Sequence, residues 1–145
     1  MVVRFFDETG FFKLKGKRKI AKLLKYAATT EKTKIDYLSC IFVTDKDIKE
    51  LNKCFLKHTY STDIITFCMC DPEDKKVIAD LFVGVETVKK NAEFYKVTFQ
   101  EEILRVIIHG LLHICGYKDK KAEDIKTMRE LEDKYLKIYD EVANL

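Results

Sequence analysis

The sequence predicts an α+β fold in which about four short strands form one sheet packed against several helices. Short runs rich in β-branched and aromatic residues alternate with longer segments whose apolar residues recur at helical spacing. Neither an internal repeat nor a low-complexity linker divides the chain. We therefore expect residues 1–145 to form a single domain, which is long enough to bury a core.

Four segments have the composition of β-strands. Residues 2–6 are β-branched and aromatic, residues 34–43 alternate between apolar and polar side chains, and residues 62–69 and 77–85 are largely apolar. We interpret residues 62–69 as a buried strand. The segment before residue 77 contains the only proline, Pro72, which predicts a loop that closes a hairpin between the last two strands.

The remaining segments predict helices. Apolar residues have helical spacing in residues 15–30, Thr44 could cap a helix that continues to about residue 55, and a further helix covers residues 86–95. Thr98 and Glu101 form a capping box that opens the most apolar helix, which ends near Gly116. A last amphipathic helix covers residues 121–142, and the side chains expected to face inward are Ile125, Met128, Leu131, Leu136 and Ile138.

The composition excludes several classes of protein. A hydrophobic fraction of 47% excludes a disordered chain. Lys and Arg outnumber Asp and Glu by only 27 to 24, so the net charge of +3 permits contact with a polyanion without requiring it. The N-terminus lacks a signal-peptide pattern, and the longest apolar stretch, 106–114, is far shorter than the roughly 20 residues that span a bilayer. These features predict a cytoplasmic protein without a membrane partner.

The five cysteines favour a reduced protein. Most of them lie in apolar runs, and we interpret them as small core residues of a cytosolic chain. The sequence contains no CxxC pair, which disfavours a cysteine-based zinc site. The cysteines concerned are Cys40, Cys54, Cys68, Cys70 and Cys115.

Two histidines in the most apolar helix, His109 and His113, predict a metal site. They are four residues apart and therefore lie one turn apart on the same helix face, so both imidazoles can reach one ion. Gly116 permits the backbone turn that ends the helix, and the chain can then return Asp119 as a third ligand. Three protein ligands leave one position of a zinc ion open to water, as in catalytic rather than structural sites.

Ordinary core histidines are the alternative interpretation. A lone histidine on an apolar helix is usually a buried residue with a polar partner, but burying two imidazoles costs desolvation that a metal ion would offset. The spacing also resembles the zinc-peptidase patterns HExxHxxGxxH and HExxHxxGxxD. Those enzymes place a Glu general base directly after the first histidine, whereas this chain has Gly110. The glycine argues against a peptidase that uses this mechanism.

The same stretch is similar to the signature of the YbeY family of bacterial endoribonucleases, H-G-x-L-H-x-x-G-Y-D-H. The positions that match are His109, Gly110, Leu112, His113, Gly116 and Tyr117. The similarity covers most of the chain, since residues 62–67 resemble the family's T-D-V-L-S-F strand and residues 79–81 resemble its G-D-I strand. Further matches are Leu51, Asn52, Phe55, Glu101, Glu102, Met128 and Glu130.

This resemblance implies a zinc-dependent endoribonuclease that acts on single-stranded RNA in ribosomal RNA maturation and ribosome quality control. Its partners would be RNA and the ribosome or ribosome-associated factors, and one zinc ion would be held by His109, His113 and Asp119. The third ligand departs from the family, which usually has His preceded by Asp where this chain has Asp119 preceded by Lys118. A carboxylate is still a zinc ligand, but the affinity or the preferred metal could differ.

Leu56 is a second departure, because the family usually has an Arg at this place. If that Arg binds RNA phosphate, Lys53 or Lys57 would have to replace it without the bidentate geometry of a guanidinium. Arg105, one helical turn before the first histidine, is a further candidate for a phosphate contact, and it could equally pair with Glu101.

Three other side chains have open roles. His58 could be a metal ligand, a phosphate contact or a solvated loop residue. Asp63 and Asp80 stand in apolar strands, where either could orient a ligand histidine or bond to nearby backbone.

Three other functions are compatible with the sequence. A ribosome-associated RNA-binding factor would keep the metal site with little catalysis, a zinc peptidase would share the ligand spacing, and a structural metal would mainly stabilise the fold. In the endoribonuclease, zinc would lower the pKa of water to about 7 or polarise a phosphoryl oxygen. The sequence identifies neither a general base nor the nucleophile, which is water or the ribose 2′-hydroxyl.

Overall fold

The computed structural model describes residues 1–56 (for residue 56 the backbone only) and 62–142. Its strands are β1 (Val2–Asp7), β2 (Tyr37–Val43), β3 (Ile64–Cys70) and β4 (Val77–Gly84). Its α-helices are α1 (Lys17–Thr30), α2 (Asp45–Leu51), α3 (Val85–Tyr95), α4 (Phe99–Ile114) and α5 (Ala122–Glu141), and a π-helical turn, Asn52–Leu56, continues α2. The prediction of an α+β fold is confirmed. None of the helices described is both long and apolar enough to cross a membrane.

The strands form one mixed sheet in the order β1-β2-β4-β3. β1, β2 and β4 are parallel; α1 returns the chain between β1 and β2, and the antiparallel strand β3 returns it between β2 and β4. β3 pairs antiparallel with β4, with Ile64 opposite Val83, so the predicted hairpin is confirmed. A hydrogen bond from Asp71 N to Lys76 O, at 2.8 Å, closes the loop between β3 and β4. This order leaves β3 at one edge of the sheet, with β4 as its partner among the described strands.

The expectation that residues 62–69 form a buried strand is wrong for most of its length. Ile65 is buried, but the end of β3, Cys68 to Cys70, is exposed, and Met69 is 67% exposed. An edge strand has a neighbour on one side only, and the apolar composition of β3 does not reveal that position. The hairpin end therefore reaches beyond the core.

The interpretation of the cysteines as core residues is wrong for three of the five. Cys40 is buried and Cys115 is half-buried, whereas Cys54, Cys68 and Cys70 are exposed. Cys54 lies on the π-helical turn, and the other two exposed residues lie on the edge strand. All five are free thiols, which agrees with the expectation of reduced cysteines.

Helix α4 lies at the centre of the molecule and packs on the sheet and on α1, α3 and α5. Thr98 caps it by accepting a hydrogen bond from Glu101 N at 3.1 Å, as predicted. The helix approaches the sheet at Gly110, where an added Cβ would lie 2.5 Å from Ile64 Cδ1 and 3.0 Å from Leu81 Cδ2. The glycine thus sets the close distance between α4 and the strands β3 and β4. A glutamate at this position would have to displace them.

Gly110→Val is expected to lower the free energy of unfolding by about 2 kcal/mol, because the added Cβ and its two methyl groups overpack the contact with Ile64 and Leu81. Urea denaturation would measure the loss. Glu101→Val, on the exposed side of the same helix, is the matched control for the lower helix propensity of valine. Equal stability of the two variants would contradict the close-packing interpretation.

The inward face of α5 differs from the prediction at its first turn. Met128 and Leu136 are buried and Leu131 and Ile138 are partly buried, as expected, but Ile125 is 52% exposed. Ile125 lines a cleft between α5 and its neighbours instead of entering the core. The buried stripe of α5 is made by Met128, Glu132, Tyr135 and Leu136.

Candidate metal centre

The two histidines of α4 point to the same place. His109 Nε2 and His113 Nε2 lie 2.9 Å apart. The two side chains are partly buried, with 24% and 27% of their surface exposed. The i and i+4 spacing on the last turns of α4 produces this arrangement. Two ring nitrogens are thus presented together on the C-terminal half of α4.

A Schellman motif ends α4 and reverses the chain, so that Asp119 comes back beside the two histidines. Gly116 N donates to His113 O and Tyr117 N donates to Leu112 O, both at 3.0 Å, around a Gly116 φ of 102°. The chain then reverses and brings Asp119 Oδ2 to 3.2 Å from each histidine Nε2. The structure therefore brings together the three residues that the sequence singled out.

The geometry of this triad fits a tetrahedral cation. Ligands at about 2.0–2.1 Å from one zinc ion are separated from one another by roughly 3.3 Å. The three separations between His109, His113 and Asp119 are 2.9, 3.2 and 3.2 Å. Among the described residues that could bind a metal, these three form the group that meets the requirement. Two imidazoles and one carboxylate are also a donor set that suits zinc.

Each histidine is held by its other ring nitrogen. His109 Nδ1 lies 2.7 Å from Glu132 Oε2, and His113 Nδ1 lies 2.9 Å from the carbonyl oxygen of Tyr117. Both partners are acceptors, so each ring can donate its Nδ1 proton to its partner, which would leave the Nε2 lone pair for a cation. A carboxylate or carbonyl behind the histidine is the usual support of a metal ligand.

Glu132 is the functional residue that the sequence analysis missed. Its side chain is 7% exposed, and it binds His109 through one oxygen and Arg105 Nη1, at 3.0 Å, through the other. A signal for it existed, because Glu132 lies four residues after Met128 on the buried face of α5. A single carboxylate in an apolar helix stripe requires a polar partner.

Charges around His109 favour its protonated form in the absence of a metal. Burial lowers the pKa of His109, but the hydrogen bond and charge of Glu132, with the charges of Asp63 and Asp119, outweigh burial and raise that pKa above its usual value. The same negative charges attract a metal cation. The site is therefore electrostatically prepared for positive charge.

Arg105 binds the carboxylate of Glu132 and does not pair with Glu101. Its Nη1 donates to Glu132, and its Nη2 donates to Asp133 Oδ1 at 2.8 Å. Glu101 lies on the exposed side of α4, whereas Glu132 and Asp133 of α5 lie directly against the guanidinium group. Arg105 does line the cleft beside His109, as predicted, so a phosphate contact stays a prediction.

Glu31 anchors the turn that follows α4. The hydroxyl of Tyr117 donates to Glu31 Oε1 at 2.5 Å, and the hydroxyl of Tyr135 donates to Oε2. Burial would raise the pKa of Glu31, but these hydrogen bonds, with the charge of Lys134, hold it below its usual value. The carboxylate thus joins α1, the turn and α5, and it fixes the backbone that carries the Tyr117 carbonyl.

The two strand carboxylates occupy different faces. Asp63 lies beside His109, close enough for its charge to raise the pKa of that ring, while its own Oδ1 accepts from Thr62 Oγ1 at 3.3 Å. Asp80 alternates with the core residues Ala79 and Leu81, so it faces the side of the sheet opposite α4. Asp80 therefore cannot orient either histidine.

Two clefts meet at the triad, and His109, Asp119 and Asp63 line both. The α3–α5 cleft, of about 310 Å³, lies between α3, α4 and α5. The β3 cleft lies between residues 62–66 and the turn 116–119, and Lys118 lines it. An extended substrate could therefore pass the triad and contact the protein on both sides.

The remaining candidates lie away from the triad or outside the described residues. Lys53, on the π-helical turn, is exposed and is not among the described residues that line either cleft. Lys57, His58 and the side chain of Leu56 lie outside the described part of the chain. Their proposed phosphate or metal contacts stay predictions.

Gly116→Ala is expected to lower the free energy of unfolding by about 1 kcal/mol, because its φ of 102° disfavours a side chain although space is open there. It should also weaken zinc binding, since the turn delivers Asp119. Gly10→Ala is the matched control, with a φ of 79°, open space and no part in the site. Urea denaturation and zinc titration would compare them, and equal zinc affinities would contradict the role of the turn.

The fold and the triad define an α+β domain with two histidines and one aspartate placed so that they could hold a metal ion. A family model described as Endoribonuclease YbeY matches residues 7–140. The chain is 41% identical over 120 residues to Endoribonuclease YbeY of Bacteroides fragilis, covering 83% of this chain and 85% of the relative. It is 38% identical over 134 residues to Endoribonuclease YbeY of Cytophaga hutchinsonii, covering 92% and 93%. The chain therefore belongs to the endoribonuclease YbeY family.

A solved structure has the same architecture. The solution structure of a Thermotoga maritima protein aligns with a TM-score of 0.64 at 27% sequence identity, covering 95% of this chain and 89% of that chain. The α+β arrangement is thus found in a protein that differs at most positions.

Proposed function

We propose that this protein is an endoribonuclease that holds one zinc ion with His109, His113 and Asp119 and cleaves single-stranded RNA. The observation that supports it most directly is the triangle of two Nε2 atoms and one carboxylate oxygen with sides of 2.9, 3.2 and 3.2 Å, open to two clefts. Membership of the endoribonuclease YbeY family supplies the substrate class.

The chain's own residues position the reaction. Glu132 and the Tyr117 carbonyl fix the two imidazoles, and Asp119 supplies one negative charge to the ion. Zinc, when bound, makes water acidic enough to ionise near neutral pH or polarises a phosphoryl oxygen. Arg105, one of two arginines among the described residues that line the cleft with His109, would offset charge that develops on the phosphate. RNA enters the site as an extended chain along the two clefts.

The cellular role follows from the family. We propose that the protein acts in the cytoplasm in ribosomal RNA maturation and ribosome quality control, with the ribosome or ribosome-associated factors as partners. We further propose that residues 1–145 form one catalytic domain, because the family match spans residues 7–140 and the four described strands form one sheet.

Cleavage of defined RNAs tests this function. The purified protein should contain near-stoichiometric zinc, cut a single-stranded RNA faster than its duplex, and lose activity with His109→Ala. Product ends identify the nucleophile, since a 2′,3′-cyclic phosphate excludes direct attack by water. Intact RNA with zinc-loaded wild type would overturn the endoribonuclease proposal and favour a ribosome-associated factor with a metal site.

A zinc peptidase is disfavoured by Gly110. The position after His109 has no side chain, and its Cα faces Ile64 and Leu81 at packing distance, so no carboxylate general base can stand there. Release of peptides from casein by wild type, but not by His113→Ala, would restore the peptidase.

A further inference from the structure

The α3–α5 cleft contains a buried carboxylate that the proposed reaction does not use. Glu102 lies two helical turns before His109 on the same face of α4 and is 4% exposed. Among the described residues, none donates a hydrogen bond to its carboxylate, and Arg105 and Arg129 act on it only through their charges. Burial raises the pKa of Glu102, and hydrogen bonds donated by a ligand would offset the cost of burying its ionised carboxylate.

The rim of this cleft carries two exposed apolar side chains. Tyr95, at the end of α3, is 54% exposed, and Ile125, at the start of α5, is 52% exposed. Both line the cleft from opposite helices. An exposed aromatic ring beside a cleft offers a stacking face to a flat ligand, as in proteins that stack unpaired bases. The volume of about 310 Å³ is in the range of small-ligand sites.

We propose that the α3–α5 cleft binds a guanine base of the RNA, with Tyr95 stacking on the ring and Glu102 accepting hydrogen bonds from its N1–H and N2–H groups. The proposal rests on the endoribonuclease function, because the cleft shares His109 and Asp119 with the triad and so places the base beside the scissile phosphodiester. A carboxylate has two acceptor oxygens, and guanine alone among the four bases presents two adjacent N–H donors on its Watson–Crick edge. Asn91 lines the same wall and could bind a further base edge.

Sequencing the ends of a randomised single-stranded RNA pool, cut by zinc-loaded protein, tests the proposal. Guanine should be enriched at least about fivefold at one fixed position relative to the cut, and Glu102→Gln should abolish most of that enrichment while cleavage continues. Glu101→Gln, the exposed neighbour on α4, is the matched control and should retain the enrichment. Cleavage without any base preference by wild type would overturn the guanine site and leave the endoribonuclease function standing.

A binding measurement separates the two proposals. Guanosine, adenosine, cytidine and uridine lack phosphate, so their binding to the zinc-loaded protein, followed by amide NMR shifts, reports base recognition without the scissile phosphodiester. Guanosine should shift the amides around Asn91 and Tyr95 and bind about tenfold more tightly than uridine. Tyr95→Ala should weaken all four nucleosides about fivefold or more, because stacking tolerates any base, whereas Tyr26→Ala on α1 should not.

The outcomes are distinct. Equal or absent shifts with all four nucleosides would overturn the guanine site even if RNA is cleaved. Guanosine binding by a protein that cleaves no RNA would support the cleft and refute the endoribonuclease function. Because Tyr95 is exposed, its variant should fold even if the Glu102 variant does not.

Discussion

Replacing His113 with alanine is expected to remove the bound metal and to lower RNA cleavage by more than about 100-fold, because loss of even an outer partner of a ligand costs about 10–100-fold. The substitution deletes the nitrogen that lies 2.9 Å from His109 Nε2 and 3.2 Å from Asp119 Oδ2, so two ligands remain. The His113 side chain is 27% exposed, and the fold should persist. Elemental analysis would measure the metal content, cleavage assays the rate, and circular dichroism the retention of the fold.

Position 119 supplies the matched comparison. Asp119→Ala should also lose the metal, whereas Asp119→His should retain it, because an imidazole is a zinc ligand and matches the usual residue of the family signature. Asp124→Ala, on the first turn of α5, is the control for loss of a nearby carboxylate. Full zinc occupancy in the His113→Ala protein would show that the ligand set is wrong.

Glu132→Gln is expected to lower zinc affinity by about tenfold and cleavage by a similar factor, although Glu132 touches the metal only through His109. The amide can still accept the proton of His109 Nδ1, but it lacks the charge that makes the ring a stronger ligand. Glu132→Ala should lower zinc affinity further, and it should lower the free energy of unfolding by about 3 kcal/mol, because the partly buried Arg105 loses one of its two carboxylate partners. Competition with a zinc-binding dye would measure the zinc affinity, and urea denaturation would measure the free energy of unfolding.

Two neighbours on α5 control this experiment. Glu130→Gln changes an exposed carboxylate on the same helix and should alter neither zinc affinity nor stability. Asp133→Asn removes the charge of the second carboxylate that binds Arg105. Because the Asp133 side chain is 59% exposed, the free energy of unfolding should change little. Wild-type zinc affinity in both Glu132 variants would indicate that the Glu132 contact does not support the ligand.

Local patterns were sufficient for much of the site. Helical periodicity placed His109 and His113 one turn apart, and Gly116 predicted the reversal that returns Asp119. These features depend on contacts within about ten residues, and backbone geometry alone relates them. The same reasoning predicted the capping of α4 by Thr98 and the β3–β4 hairpin.

Features that depend on distant segments were not predictable. The sequence offered Arg105 a partner at Glu101, but packing of α4 on α5 supplied Glu132 and Asp133, 27 and 28 residues away. The apolar runs of β3 suggested burial, but strand order left the end of β3 exposed. Periodicity reports which residues prefer burial, not which element covers them.

The sequence by itself determined the elements, the i and i+4 histidine pair and the turn with its returning carboxylate, because these follow from helix pitch and glycine conformation. Only the tertiary structure decided that Glu132 stands behind His109, that Asp80 faces away, and that Glu102 is buried in a cleft between three helices. The physical reason is that these relations join segments by packing, and packing depends on the shapes of all elements together.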